Sequence, residues 1–312
     1  MKNSPVEADI TTHAAQVTAV RPVVPVRTTT SDGILLSGIH LTDPVNPQAT
    51  ALVHIHGFTH HTGYSDTSRV VDAEARHADV LAFDLRGHGR SGGRNTVGDR
   101  ELLDVDAAVA WARAAGYTRV ATVGFSLGAA VALRQAALGE HRPDAVVAVS
   151  GPARWYSRES APMRRVHWVL EQPHGRAVAR LLGVRLDRPW AEVPPSPVEV
   201  AGAIAPTPLL LVHFDADPYF TAAHPRALAA ATGGHAELWT EPGTGHGETG
   251  TDAALAGRIA AWAVAAAGRV PGAPDGVASE VAGRPGESTP GDRSTVVGSD
   301  PADRRAASSE VR

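Results

Sequence analysis

The chain has 312 residues, 43% of them hydrophobic, which is enough for one large domain or two small ones with a sizeable core. Its 29 basic and 33 acidic residues leave a net charge of −4, which argues against a nucleic-acid partner. The absence of cysteine excludes disulfides, thiolate catalysis and cysteine-based metal sites, and no run of about 18 or more apolar residues marks a transmembrane helix.

Residues 1–20 are polar and without periodicity, a flexible arm by expectation with no apolar signal core, so the chain reads as cytoplasmic and not membrane-bound. Residues 24–30 and 34–41 flank Ser31-Asp32-Gly33, a hairpin signal. A third strand is expected at 51–56, a helix at 68–77 and a strand at 80–84, followed by a Gly-rich loop at 86–93. The spacing at 100–115 puts Leu103, Ala107, Ala110 and Trp111 on one helix face, closed by Gly116. A strand at 120–123, a helix at 127–138 and a strand at 145–149 come next. Residues 151–205 break the pattern with helix-like stretches at 163–170 and 176–182 and a Pro-rich run at 189–197, and are read as a small helical lid. Strands at 208–213 and 236–240 and helices at 225–231 and 253–267 complete a domain at 21–268. Residues 269–312 contain no aromatic residue and are rich in Gly, Pro, Ser, Asp, Arg and Ala, the composition of a disordered tail. Strands alternating with helices predict an α/β fold: a mostly parallel, doubly wound sheet of about eight strands, with the opening hairpin antiparallel at one edge.

The stretch Gly124-Phe125-Ser126-Leu127-Gly128 lies between a β-branched run and an Ala/Leu-rich helix, so a serine stands at the apex of a strand–turn–helix. Glycines on both sides remove side chains that would collide in so tight a turn. A serine hydroxyl needs a base in contact with it, and the base needs a carboxylate to orient it. Asp215 and Asp217 follow the strand at 208–213, and His246 sits in the loop after the last strand. Ser126, Asp217 and His246 come in the order this architecture requires, with Asp215 as the alternative acid. Two backbone amides should stabilise an oxyanion: that of Leu127, after the serine, and that of Phe58, after the third strand.

These residues carry a family resemblance. His56-Gly57-Phe58, the run from Asp84 to Ser91, Gly124-Phe125-Ser126-Leu127-Gly128, the run from His213 to Pro218, and Gly245-His246 resemble the motifs of the α/β-hydrolase fold superfamily, in family order and over most of residues 24–267. The resemblance implies a lidded serine hydrolase. It implies a structural rather than catalytic role for Asp84, Arg86 and His88. Phe214 replaces a glycine common in the family's acid loop, which keeps Asp215 open. Serine at the elbow argues against halide displacement, while cofactor-free oxygenases and haloperoxidase-like members share the triad.

The favoured reading is hydrolysis of a small carboxylic ester through an acyl-enzyme, with no cofactor and no metal. A peptidase or amidase, an acyltransferase and a non-catalytic ligand-binding member are the alternatives. Trp155, Tyr156, Met163 and Trp168 are the candidate pocket residues. His54, His56, His60 and His61 cluster without an acid to complete a metal site before Asp66. The lid arginines read as a solvated face more than as a guide for an anionic substrate.

Overall fold

The hydrophobic runs form eight strands: β1 (Val23–Thr29), β2 (Leu35–Leu41), β3 (Thr50–Ile55), β4 (Asp79–Phe83), β5 (Arg119–Phe125), β6 (Ala145–Val149), β7 (Leu209–Phe214) and β8 (Glu237–Glu241). They make one sheet in the order β1-β2-β4-β3-β5-β6-β7-β8. The β1–β2 and β2–β4 pairs are antiparallel and the rest parallel, as the alternation of elements predicts. The structure is a computed structural model that describes residues 21–43 and 48–269. The chain divides into two units, Met1–Gly272 and Ala273–Arg312. The second unit and the expected arm at 1–20 lie outside the described residues, as does the expected tail except Arg269.

Nine helices are described: α1 (Ser65–Glu74), α2 (Glu101–Ala114), α3 (Leu127–Leu138), α4 (Ala161–Glu171), α5 (Gly175–Leu181), α6 (Pro197–Val200), α7 (Ala223–Ala231), α8 (Gly247–Gly250) and α9 (Ala253–Ala267). Strand residues alternate between two cores. Ala51, Val53 and Ile55 face the one that includes α2 and α3, while Leu52, Val123 and Val212 face the one that includes α1 and α9. Alanines 256, 260 and 263 on the inner face of α9 let that helix lie close to the sheet. No helix among the described residues is long and apolar enough to cross a membrane.

Three sequence expectations shift. The first helix starts at Ser65 and ends at Glu74, earlier at both ends than 68–77, because Tyr64 at its N-cap offers no side-chain hydrogen bond to mark the start. The helix α4 begins two residues before 163, where Ser160 caps the Met163 amide at 3.2 Å and Pro162 sits in the first turn. The buried face of α2 is not Leu103, Ala107, Ala110 and Trp111 but Glu101, Asp104, Val105, Ala108, Val109 and Ala112. Two acids on that face disguise it. Glu101 accepts the Gly98 amide at 2.7 Å and the Thr96 hydroxyl at 2.7 Å, and Asp104 accepts from the buried Arg86 at 2.8 Å.

The 151–205 insertion between β6 and β7 contains α4, α5, α6 and a 3₁₀ turn at Ala201–Ile204. Strand order reverses between β3 and β5, so a crevice opens beyond their carboxyl ends. The segments that follow those two strands carry the residues of interest.

Candidate active site

Ser126 joins β5 to α3 with φ 52° and ψ −113°, a region that costs a non-glycine residue about 1–3 kcal/mol. Its neighbours hold it there. Its amide donates to the Val149 carbonyl at 2.8 Å, and its carbonyl accepts from the Ala129 amide at 3.1 Å and the Ala130 amide at 3.2 Å. A Cβ on Gly124 would overlap the Gly128 carbonyl, and one on Gly128 would overlap the Ile55 carbonyl. Both obstacles are backbone and cannot rotate away. Gly128→Ala is therefore expected to destabilise the fold by about 3 kcal/mol. The expected readout is a lower urea midpoint at an unchanged denaturant slope.

His246 precedes α8, with its Nε2 2.8 Å from Ser126 Oγ. Its Nδ1 lies 2.9 Å from Asp217 Oδ2 and 3.1 Å from Oδ1. A carboxylate only accepts, so Nδ1 carries the proton and Nε2 is free to accept the serine hydroxyl. Tyr219 stacks on the imidazole at 4.1 Å between centroids. Burial pushes the Asp217 carboxyl up, but the His246 hydrogen bond and charge, with the Tyr219 and Phe220 amides, outweigh it and hold it below its ordinary value. Those amides donate to Oδ1 at 2.7 and 3.1 Å. Asp215 is exposed and accepts the Gly243 amide at 2.8 Å, so the structure brings Asp217 and not Asp215 to the imidazole.

The loop after β3 is braced on several sides. His56 donates through Nδ1 to the Gly57 carbonyl at 2.8 Å and accepts the Leu85 amide at Nε2, 3.0 Å away. His88 donates through Nε2 to the Phe58 carbonyl at 2.6 Å. Burial lowers the pKa of both rings, and His56, which donates at one nitrogen and accepts at the other, has the hydrogen-bond pattern of a neutral imidazole. The Gly57 amide is committed to Glu248 Oε1 at 2.8 Å. The amides of Phe58 and Leu127 donate to no group among the described residues, and both residues line one cavity with Ser126 and His246.

That cavity has a volume of about 470 Å³, within the range of small-molecule sites. Of the four candidate pocket residues, Trp155 and Met163 line it. Tyr156 does not. It is 61% exposed, stacks on His167 and lines a smaller neighbouring cavity. Trp168 is 50% exposed and lines neither. Met163 and His167 lie four apart on the buried stripe of α4, and Trp168, one residue further, is turned about 100° away from it. Val97, Val166, His167, Leu170, Tyr219 and Phe220 also face the cavity and were not anticipated. Only Val166 and Leu170 carried a signal, the helical spacing at 163–170.

The histidine cluster disperses into the fold. His54 pairs through Nδ1 with buried Glu74 at 3.0 Å, and His56 braces the loop. Among the described residues, one group, Asp106, Glu140 and His141, places possible ligand atoms within 4.8 Å of one another. It does not line the cavity, and His141 already pairs with Asp106 at 2.8 Å.

A family model described as alpha/beta hydrolase fold matches residues 50–178. No curated protein sequence matches the chain. Solved structures with a similar fold include the esterase Pf2001 of Pyrococcus furiosus, at 25% identity and TM-score 0.56, covering 71% of this chain and 84% of that one. XC6422 of Xanthomonas campestris, described as a serine hydrolase without a lid, is 18% identical with TM-score 0.52, over 78% of this chain and 93% of that one. Est1E of Butyrivibrio proteoclasticus, solved with ferulic acid, is 21% identical with TM-score 0.51, over 75% and 96%.

Proposed function

We propose that this chain, which belongs to the α/β-hydrolase superfamily, is a serine hydrolase that cleaves small carboxylic esters through an acyl-enzyme. The observation that carries this reading is the unbroken contact from Ser126 Oγ through His246 to Asp217 at 2.8 and 2.9 Å, beside two amides that have no partner among the described residues.

In this reading Ser126 Oγ attacks the ester carbonyl while His246 Nε2 takes its proton. The carbonyl oxygen, now negative, accepts from the Phe58 and Leu127 amides. Asp217 stabilises the imidazolium and keeps it aimed. As the tetrahedral species collapses, His246 returns the proton to the departing alkoxide and the alcohol leaves. Water then attacks the acyl-enzyme, its proton passing to His246, and a second collapse releases the acid and restores Ser126. Trp155, Met163, Val166 and Leu170 give the cavity apolar walls suited to an alkyl or aryl acyl group.

The test is turnover of a p-nitrophenyl ester series from short to medium acyl length, beside labelling by a fluorophosphonate. The expected result is a chain-length optimum set by a cavity of about 470 Å³, with the label on Ser126. Labelling without ester turnover would redirect the reading to an amide, a peptide or acyl transfer. Neither turnover nor labelling would leave a ligand-binding member of the fold.

A further inference from the structure

Glu248 stands two residues beyond His246 and turns its side chain back to the loop after β3. It is 1% exposed, and Oε1 accepts the Gly57 amide at 2.8 Å. Its carboxylate lies over that glycine: a Cβ there would sit 3.1 Å from Oε2. The Glu248 carbonyl is anchored in turn by Arg69 of α1 at 2.7 Å, and the same guanidinium reaches the Thr251 carbonyl at 3.2 Å and Asp66 at 2.5 Å. One residue thus ties three segments together: the His246 loop, the loop that carries Phe58, and α1.

A buried carboxylate with a single hydrogen bond of this kind is costly unless a positive group balances it. His54 provides one. It lies on β3, three residues before Gly57, with its Nδ1 on Glu74 Oε2 at 3.0 Å, its ring 5.0 Å from that of Phe125, and its Nε2 without a partner among the described residues. Burial opposes its protonation, but the charge and hydrogen bond of Glu74, with a further contribution from the charge of Glu248, outweigh it and raise its pKa.

We propose that Glu248 is a positioning residue for the oxyanion site. By holding the Gly57 N–H it fixes the peptide plane before Gly57, while His56 Nδ1 pins the plane after it through the Gly57 carbonyl, and together they keep the Phe58 N–H facing the oxygen that becomes negative. The inference rests on the serine-hydrolase reading. It also explains why the proton acceptor and the oxyanion donors are set together: His246 and Glu248 belong to the same turn of chain.

The experiment compares Glu248→Ala, Glu248→Gln and Glu248→Asp with the native chain, each checked by thermal unfolding. Glu248→Ala is expected to lower kcat about 100-fold on the best ester, the scale of a lost oxyanion donor, while KM changes less than about threefold. Glu248→Gln keeps an oxygen for the Gly57 amide and should recover kcat to within about fivefold. Glu248→Asp, one methylene shorter, should lose at least about tenfold, and it carries the test if the alanine variant does not fold. The second readout is inhibition by a trifluoromethyl ketone, which adds Ser126 and presents an oxyanion, against the matching methyl ketone, which binds without adding. Only the trifluoromethyl ketone should weaken, by about 100-fold in Glu248→Ala. Equal weakening of both ketones, or a kcat in folded Glu248→Ala within about threefold of native, overturns the assignment. A native chain with neither turnover nor fluorophosphonate labelling overturns the serine-hydrolase reading instead.

Discussion

Ser126→Ala is expected to lower kcat on the preferred ester by about four to six orders of magnitude, with the fold intact. The hydroxyl makes the hydrogen bond to His246, at 2.8 Å, and the substitution removes nothing else. The backbone strain at φ 52° remains, because alanine bears the same Cβ, and the three main-chain hydrogen bonds that hold the apex do not involve the hydroxyl. Stability should therefore move by less than about 1 kcal/mol. Circular dichroism and thermal unfolding check the second half of the prediction, and ester turnover the first. His246→Ala should match the loss, since a nucleophile and its base act as a unit and their removals do not add. A Ser126→Ala variant that keeps a tenth of native activity would end the acyl-enzyme reading.

The second large effect separates two aspartates two positions apart. Asp217→Asn is expected to cost about 10⁴ in kcat, and Asp215→Asn no more than about threefold. The difference follows from what already holds each carboxylate. Oδ1 of Asp217 is fixed by the Tyr219 and Phe220 amides, which an asparagine oxygen would keep. That leaves the asparagine NH₂ where Oδ2 now faces His246 Nδ1 at 2.9 Å. Two donors cannot share that contact, so the imidazole must carry its proton on Nε2, where it can no longer accept one from Ser126. Asp215 is exposed and bonds the Gly243 amide, an interaction that asparagine oxygen also makes. The reverse order of losses would move the acid role to Asp215 and require the β7 loop to rearrange.

The acid loop also shows what the sequence could not resolve by itself. Both aspartates follow the same strand at plausible distances, and Phe214 stands where a glycine is common. The structure gives Phe214 a use: its ring lies against the backbone of Gly245, leaving no room for a side chain there. Packing of one residue on another 31 positions away is not written in any local pattern.

Local chemistry alone determined a great deal. A serine between two glycines at a strand–helix junction demands a tight turn, because nothing larger than hydrogen fits where Gly124 meets Gly128. Period-two and period-3.6 patterns placed the eight strands and the long helices, since each element must bury one face or both. The order of serine, acid and histidine along the chain follows from the order of the strands whose ends they occupy. The tertiary structure decided what depends on side-chain direction and on contacts between distant segments. It turned Trp168 to solvent and His167 inward on one short helix, set Asp217 rather than Asp215 against His246, and buried Glu101 and Asp104 on α2 in place of the face of Leu103, Ala107, Ala110 and Trp111. It also brought Glu248 to Gly57, 191 residues apart in the chain. A buried charge is stable only beside partners that the fold delivers, and those partners leave no periodic trace in the sequence.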